Sequence, residues 1–230
     1  LLAVLAQLDA AGEECDGPVV QCAVSASGGL AGLPALPAGV AEEELQAIVA
    51  VDHEAPICDK SCDILVVGGG LGGVAAAWAA ARRGHHVCLL EETDWLGGQM
   101  TSQGISALDE HKHIETFGGT RSYYKLCEVI RDHYRNLADR SQGEDSLNPG
   151  RCWVSRLAFE PQVAVNAIGT LLSPHIEAGQ LGIFLRTKAV ETRMNGNRVV
   201  SLKAINLDDG GAVRFVFEYI LDATELGDLL

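Results

Sequence analysis

Three glycines in VVGGGLGGVAAA, at positions 68, 70 and 73, have the spacing of a turn that cradles a diphosphate. Gly68 permits a tight turn out of a preceding strand. Gly70 lets the backbone approach a pyrophosphate with no Cβ in the way, and Gly73 lets the following helix pack closely. Gly69 lies inside the same turn. The unpaired N–H groups around Leu71 and Gly72 open the helix, whose dipole is positive at this end. Separated from Gly73 by seventeen residues, at the end of a second apolar run, stands Glu91. A carboxylate there can accept hydrogen bonds from ribose hydroxyls. Glu92 follows it, no arginine comes after, and two carboxylates would repel a 2′-phosphate, which disfavours NADP. The chemistry these residues point to is the holding of a dinucleotide; the turn alone does not decide between NAD and FAD.

The elements that must position these residues are legible in the same stretch. DILVV is a continuous apolar run, the length of a buried parallel strand. GGVAAAWAAARR predicts a small-residue helix stopped at Gly84, and HVCLLE a second strand. Further on, TRSYYKLCEVIRDHYRNLA predicts a helix capped by Thr120. PQVAVNAIGTLLSPHIEAG predicts another, with Pro161 in its first turn and Pro174 expected to kink or end it early. GIFLRTKAVETRM and RVVSLKAINL predict strands joined at the hairpin signal NGN. DDGG makes the next turn, and AVRFVFEYILDAT supplies one or two more strands. The expected fold is α/β, a three-layer dinucleotide-binding domain with a parallel sheet and an inserted β-meander.

A second glycine loop follows in TDWLGGQMTSQG. Gly97 and Gly98 offer backbone N–H groups without side-chain bulk, a nest that can fold across a diphosphate. An extended FAD needs such a loop more than NAD does. At this point the sequence resembles the FAD-dependent oxidoreductase family of two-dinucleotide-binding-domain flavoproteins, and within it the group typified by the flavin-bearing subunit of heterodisulfide reductase. The resemblance rests on VVGGGLGGVAAA, LLEETDWLGGQ, IETFGGTRSYY and the terminal YILDATELGD. It implies that Gly68, Gly70 and Gly73 hold the FAD pyrophosphate and Glu91 the adenosine ribose. It implies that Gly97, Gly98 and Gln99 lie along the cofactor, with Gln99 nearest the flavin. It also implies that the backbone of Val190 meets the adenine edge and that Ala223 and Thr224 lie near the cofactor. Glu225 stands where the family usually has glycine. The implied activity is flavin-mediated hydride or electron transfer on an unidentified substrate. The alternatives are a non-catalytic fragment or FAD-binding subunit that needs a partner chain, and an NAD-binding dehydrogenase domain.

Other residues offer weaker chemistry. His111 and His113 form an H-x-H pair with no third or fourth ligand to complete a metal site; solvated loop histidines are the simpler reading. Cys152 reads as structural, and Arg121 as either an anion contact or helix surface. Tyr123 and Tyr124 read as packing. Cys58 and Cys62 flank a short polar turn that could bridge or bind metal, but no second pair sits at ligand spacing. No C-x-x-C-x-x-C run is present among the seven cysteines for an iron–sulfur cluster. No catalytic residue and no metal is assigned.

The 230 residues include 47% hydrophobic and 21% charged side chains, the balance of a globular chain, with a formal net charge of −14. Such a charge repels phosphates and argues against nucleic-acid or anionic-membrane partners, leaving a small-molecule substrate or an electron donor or acceptor. The expected location is cytoplasmic. Residues 1–58, with the Pro/Gly-rich run SASGGLAGLPALPAG, read as an extension or linker, and 59–230 as an FAD-binding domain incomplete at its C-terminus. Leu1 in place of Met suggests a fragment or processed chain. LLAVLAQL is too short to span a membrane.

Overall fold

The computed structural model describes residues 57–105, 107–137 and 148–229. Of the stretch 1–58 read as a linker, residues 1–56 lie outside the described residues, and Cys58 opens the first strand. β1 (Cys58–Val67) is followed by α1 (Leu71–Ala81) and β2 (Val87–Leu90). Next come a short 3-10 turn (Gly98–Met100), α2 (Arg121–Leu137) and α3 (Pro161–Glu177). β3 (Leu181–Phe184), β4 (Thr187–Asn195), β5 (Arg198–Asn206) and β6 (Ala212–Asp222) complete the order. The strands form one sheet in the order β3-β2-β1-β6-β5-β4. The β3, β2, β1 and β6 neighbours pair in parallel, whereas β4–β5 and β5–β6 pair antiparallel. The sheet is therefore mixed, because the meander is continuous with the parallel strands through β6.

Alternation along the strands separates two cores. Val66, Val87 and Leu89 face the cluster built with Val74 and Ala77 of α1, Ile130 of α2 and Ile168 and Leu172 of α3. Leu65, Val67, Cys88 and Leu90 face the other way, onto Leu202, Ala204 and Phe215 of the meander strands. Helices, parallel sheet and meander are thus the three layers. Phe184 meets Phe215 edge-on, with ring centroids 5.0 Å apart.

Four local readings change. β1 runs ten residues, because LVV is preceded by residues that pair along β6 from Cys58. Cys58 and Cys62 accordingly lie on a strand and not beside a turn. Asp63 N–H and Ile64 N–H share the His86 carbonyl (2.8 and 3.2 Å), and Cys62 lies in the same core as Leu65. GIFLRTKAVETRM is two strands, split where Arg186 takes φ +52°. The chain there leaves the parallel edge and enters the meander. That left-handed corner is held by Arg186 Nε against Asp208 (3.2 Å) and by Leu207 N–H on the Arg186 carbonyl (2.6 Å). AVRFVFEYILD is a single strand. Pro174 does not stop α3, which continues to Glu177. The carbonyl its missing N–H would have reached, that of Thr170, accepts from Ser173 Oγ instead (3.3 Å).

Thr120 Oγ1 accepts from Tyr123 N–H (3.1 Å) at the start of α2. Gly84 takes φ +88° beyond the end of α1. Gly196 takes φ +60° in the β4–β5 hairpin, which closes on the Asn195–Arg198 pair.

A Cβ on Gly73 would collide with the Gly68 carbonyl, whereas one on Gly72 meets nothing within 4 Å. Gly73→Ala should therefore lower stability by about 1–3 kcal/mol through overpacking. Gly72→Ala should raise it by up to about 1 kcal/mol through helix propensity. Urea unfolding of the two flavin-free variants beside the parent measures both.

Candidate functional site

The turn after β1 is built by close backbone approach. Gly68 takes φ +101°, and a Cβ there would strike the carbonyl of Ala223, immediately past β6. Ala223 N–H in turn bonds the Val67 carbonyl (2.8 Å), so the ends of β1 and β6 are stitched together. Gly70 caps α1 with no side-chain hydrogen bond, and the first turn of α1 carries no acidic residue. Its Cα faces open space. The helix N-terminus is thus bare where an anion can reach it.

The second glycine loop docks on the first. Gly97 N–H bonds the Gly69 carbonyl (2.8 Å), and Gly70 and Gly97 form an isolated parallel bridge. Gly97 and Gly98 take φ +113° and +55°. A Cβ on Gly98 would lie 3.1 Å from Gly70 Cα and 4.0 Å from Leu71 N. The loop is therefore packed against the helix start, with its backbone in the same wall.

A groove of about 390 Å³ runs past this wall. Gly68, Gly70, Glu91, Glu92, Gly98 and Thr224 line it. Gly69, Gly73 and Gly97 lie behind the lining and shape the turn. Leu71 and Gly72 border a second, mostly apolar cavity of about 450 Å³, shared with Trp78 and Tyr123. Gln99 is exposed and outside the groove lining. Val190 is half-exposed and also outside it. It is the residue the β4–β5 ladder skips, at a register shift between Ala189 and Glu191. That shift leaves Thr187, Lys188 and Ala189 as the β4 residues in the groove wall.

The carboxylates are held in different ways. Glu91 accepts from Gly69 N–H at Oε2 and from Thr93 N–H at Oε1, both 2.8 Å. Each oxygen keeps a second acceptor direction. Glu92 pairs with Lys188 Nζ (3.0 and 3.1 Å). This is a half-exposed bridge worth about 1 kcal/mol or less. Asp222 ends β6. Partial burial opposes its charge, but Thr224 Oγ1 (2.7 Å), Thr224 N–H (3.0 Å) and Leu229 N–H (3.2 Å) outweigh this and hold its carboxyl below the usual range. Thr224 Oγ1 also accepts from Asp228 N–H (2.8 Å), so the DATELGD segment is a tight, self-bonded turn.

Gln103, Lys188 and Glu225 line the groove without having been expected there. Gln103 gave no signal beyond its polarity in a loop. Lys188 precedes the expected adenine contact by two residues, and the bulge exchanges their roles. Arg121 lies at the exposed start of α2, outside the groove. His113 stacks on Phe117 (5.2 Å between centroids) and its N–H bonds His111 Nδ1 (3.1 Å). Among the described residues no group of three or more His, Cys, Asp or Glu is arranged to hold a metal ion. Contact with Cys88 lowers the Cys62 thiol against its burial. Contact with Cys62, then burial, pushes the Cys88 thiol up, and burial pushes Cys127 up to about 12. Cys152 is half-buried, its N–H on Asn148 Oδ1 (3.3 Å).

A glycine turn on a bare helix start, with an acid at the end of β2, defines a dinucleotide-binding α/β domain. The chain belongs to the FAD dependent oxidoreductase family, whose model matches residues 63–230. That membership decides for FAD over NAD. Among curated proteins, a Bacillus subtilis protein described as a Rieske 2Fe-2S iron-sulfur protein, YhfW, is 25% identical over 132 residues, 54% of this chain and 25% of its own. The N,N-dimethylglycine/sarcosine dehydrogenase of Chromohalobacter salexigens is 52% identical over 50 residues, 21% of this chain and 7% of its own. This chain spans 25% or less of the curated relatives it matches. Among solved structures, adenylylsulfate reductase from Archaeoglobus fulgidus aligns with TM-score 0.45 and 18% identity, over 74% of this chain and 31% of that one. Among the described residues no helix is long and apolar enough to cross a membrane.

The depressed Asp222 carboxyl makes the DATELGD turn an acid-sensitive element. A lowered folded-state pKa contributes stability above the unfolded value, and that contribution is lost as pH falls through the folded value. The Asp222 carboxyl carbon, followed by NMR, should titrate below free aspartate, with the turn opening only under that pH. In Thr224→Val the midpoint should move back toward free aspartate.

Proposed function

We propose that residues 59–230 form the FAD-binding domain of an oxidoreductase, and that the groove beside Gly70 takes the adenosine diphosphate half of the cofactor. The observation that carries this is the open space at Gly70 Cα, at an uncapped helix start, in a groove that Glu91 also lines. A diphosphate fits there because any Cβ at Gly70 would occupy the approach. Gly70, Leu71 and Gly72 supply backbone N–H groups and the positive end of α1 to the phosphates. Glu91, oriented by Gly69 and Thr93, keeps acceptor directions for the ribose hydroxyls. Lys188 and Ala189, the β4 residues of the groove wall, border the adenine. Gly98 and Gln99 lead toward the flavin end.

FAD, when bound, supplies hydride and electron transfer; this chain's residues bind and orient it. The substrate is a small molecule of undetermined class, and the short share of each relative that is matched is consistent with a separate substrate domain or a partner chain. The protein should purify yellow, with a flavin absorption band that bleaches on reduction; a colourless product that retains only NAD would sink the reading. Gly70→Val should weaken flavin retention by about tenfold or more, as should Glu91→Arg, each a loss of roughly 1.4 kcal/mol. Equilibrium dialysis against FAD measures both, and unchanged occupancy in Glu91→Arg would remove Glu91 from the site.

A further inference from the structure

Glu225 is out of place for a groove that takes a diphosphate. Its Oε1 accepts from Gln103 Nε2 across the groove. It also lies 3.9 Å from the point where a Gly98 Cβ would stand, a point itself 4.0 Å from Leu71 N. The carboxylate is therefore parked beside the bare start of α1, the position a phosphate would seek. Its backbone has little freedom, since Asp222, Thr224 and Asp228 lock the turn that carries it. Gln103 is tethered too, through its N–H on the Gly98 carbonyl (3.1 Å). Two other carboxylates of the groove are answered otherwise: Glu91 by two backbone N–H groups and Glu92 by Lys188.

We infer that Glu225, held by Gln103, is an internal anion at the diphosphate end of the groove and that it sets cofactor affinity by opposing entry. The inference rests on the reading of this groove as the diphosphate site. It assigns Gln103 a positioning role. Binding the cofactor requires the Gln103–Glu225 bond to open and the carboxylate to turn outward, because a dianion and a carboxylate repel at this range. Part of the helix-end attraction for phosphate is spent against Glu225 in the native chain.

The test is FAD binding to the full 230-residue chain, followed by flavin fluorescence at several salt concentrations, for the parent, Glu225→Gln and Glu225→Ala. Both variants should bind FAD more tightly, by about three- to tenfold. Association with the parent should quicken as salt screens the repulsion, and this acceleration should shrink in both variants. Unchanged affinity in both would overturn the inference. So would weaker binding, which would make Glu225 an acceptor for cofactor hydroxyls. Gly70→Val separates the two levels: if it too binds FAD like the parent, the groove is not the diphosphate site, whereas its loss of FAD with Glu225 silent rejects the role of Glu225 alone.

Discussion

The groove depends on one backbone crossing, where the Gly68 turn lies against the carbonyl of Ala223. No side chain fits between them. The crossing ties the end of β1 to the end of β6 and sets where α1 can begin. Gly73 then packs its helix onto the Gly68 carbonyl, and Gly97 hangs the second loop from the Gly69 carbonyl. Remove the close approach at Gly68 and each later contact loses its reference point. The parallel pairing of β1 with β6, continuous from Cys58 to Val67, holds the crossing in register.

Electrostatics in the groove follow from that frame. The attraction for an anion comes from the backbone, since Lys188 is the cationic side chain in the lining and Glu92 already engages it. The acids are divided by geometry rather than by number. Glu91 is fixed by the peptide N–H groups of Gly69 and Thr93. Asp222 is spent inside its own turn. A chain with net charge −14 can thus hold a dianion because the peptide dipoles of α1 are local and directed, whereas its surface carboxylates are dispersed and screened.

The first turn, its helix, the acid that follows β2 and the family were legible because each is a short, local pattern with few physical solutions. Gly73 needs no partner information, because its Cβ would meet the Gly68 carbonyl within the turn itself, whereas the crowding at Gly68 comes from Ala223 beyond β6. What was not legible came from distant pairing. GIFLRTKAVETRM gives no local hint that Arg186 should break it, because the break is made by Asp208, Leu207 and the strand edges they belong to. The β1 extension to Cys58 likewise exists because β6 runs beside it, so CDKSC reads as a polar turn until its neighbour is known. Val190 and Lys188 exchanged roles for the same reason, a register shift that only the paired strand reveals. Pro174 was judged by its missing N–H alone, without the Ser173 hydroxyl that answers the orphaned carbonyl.

The pairing of β1 with β6 also has a consequence in time. The first and last described strands are separated by the whole domain, yet they lie side by side. A ribosome releases the glycine turn early, but the wall it leans on emerges only after Ala223 has cleared the exit tunnel. Until then the exposed edge of β1 is apolar and unpaired, and α1 has nothing to hold its start in place. Completion of the groove therefore waits on a contact between the two ends of the domain, a long-range pairing that is slow to form.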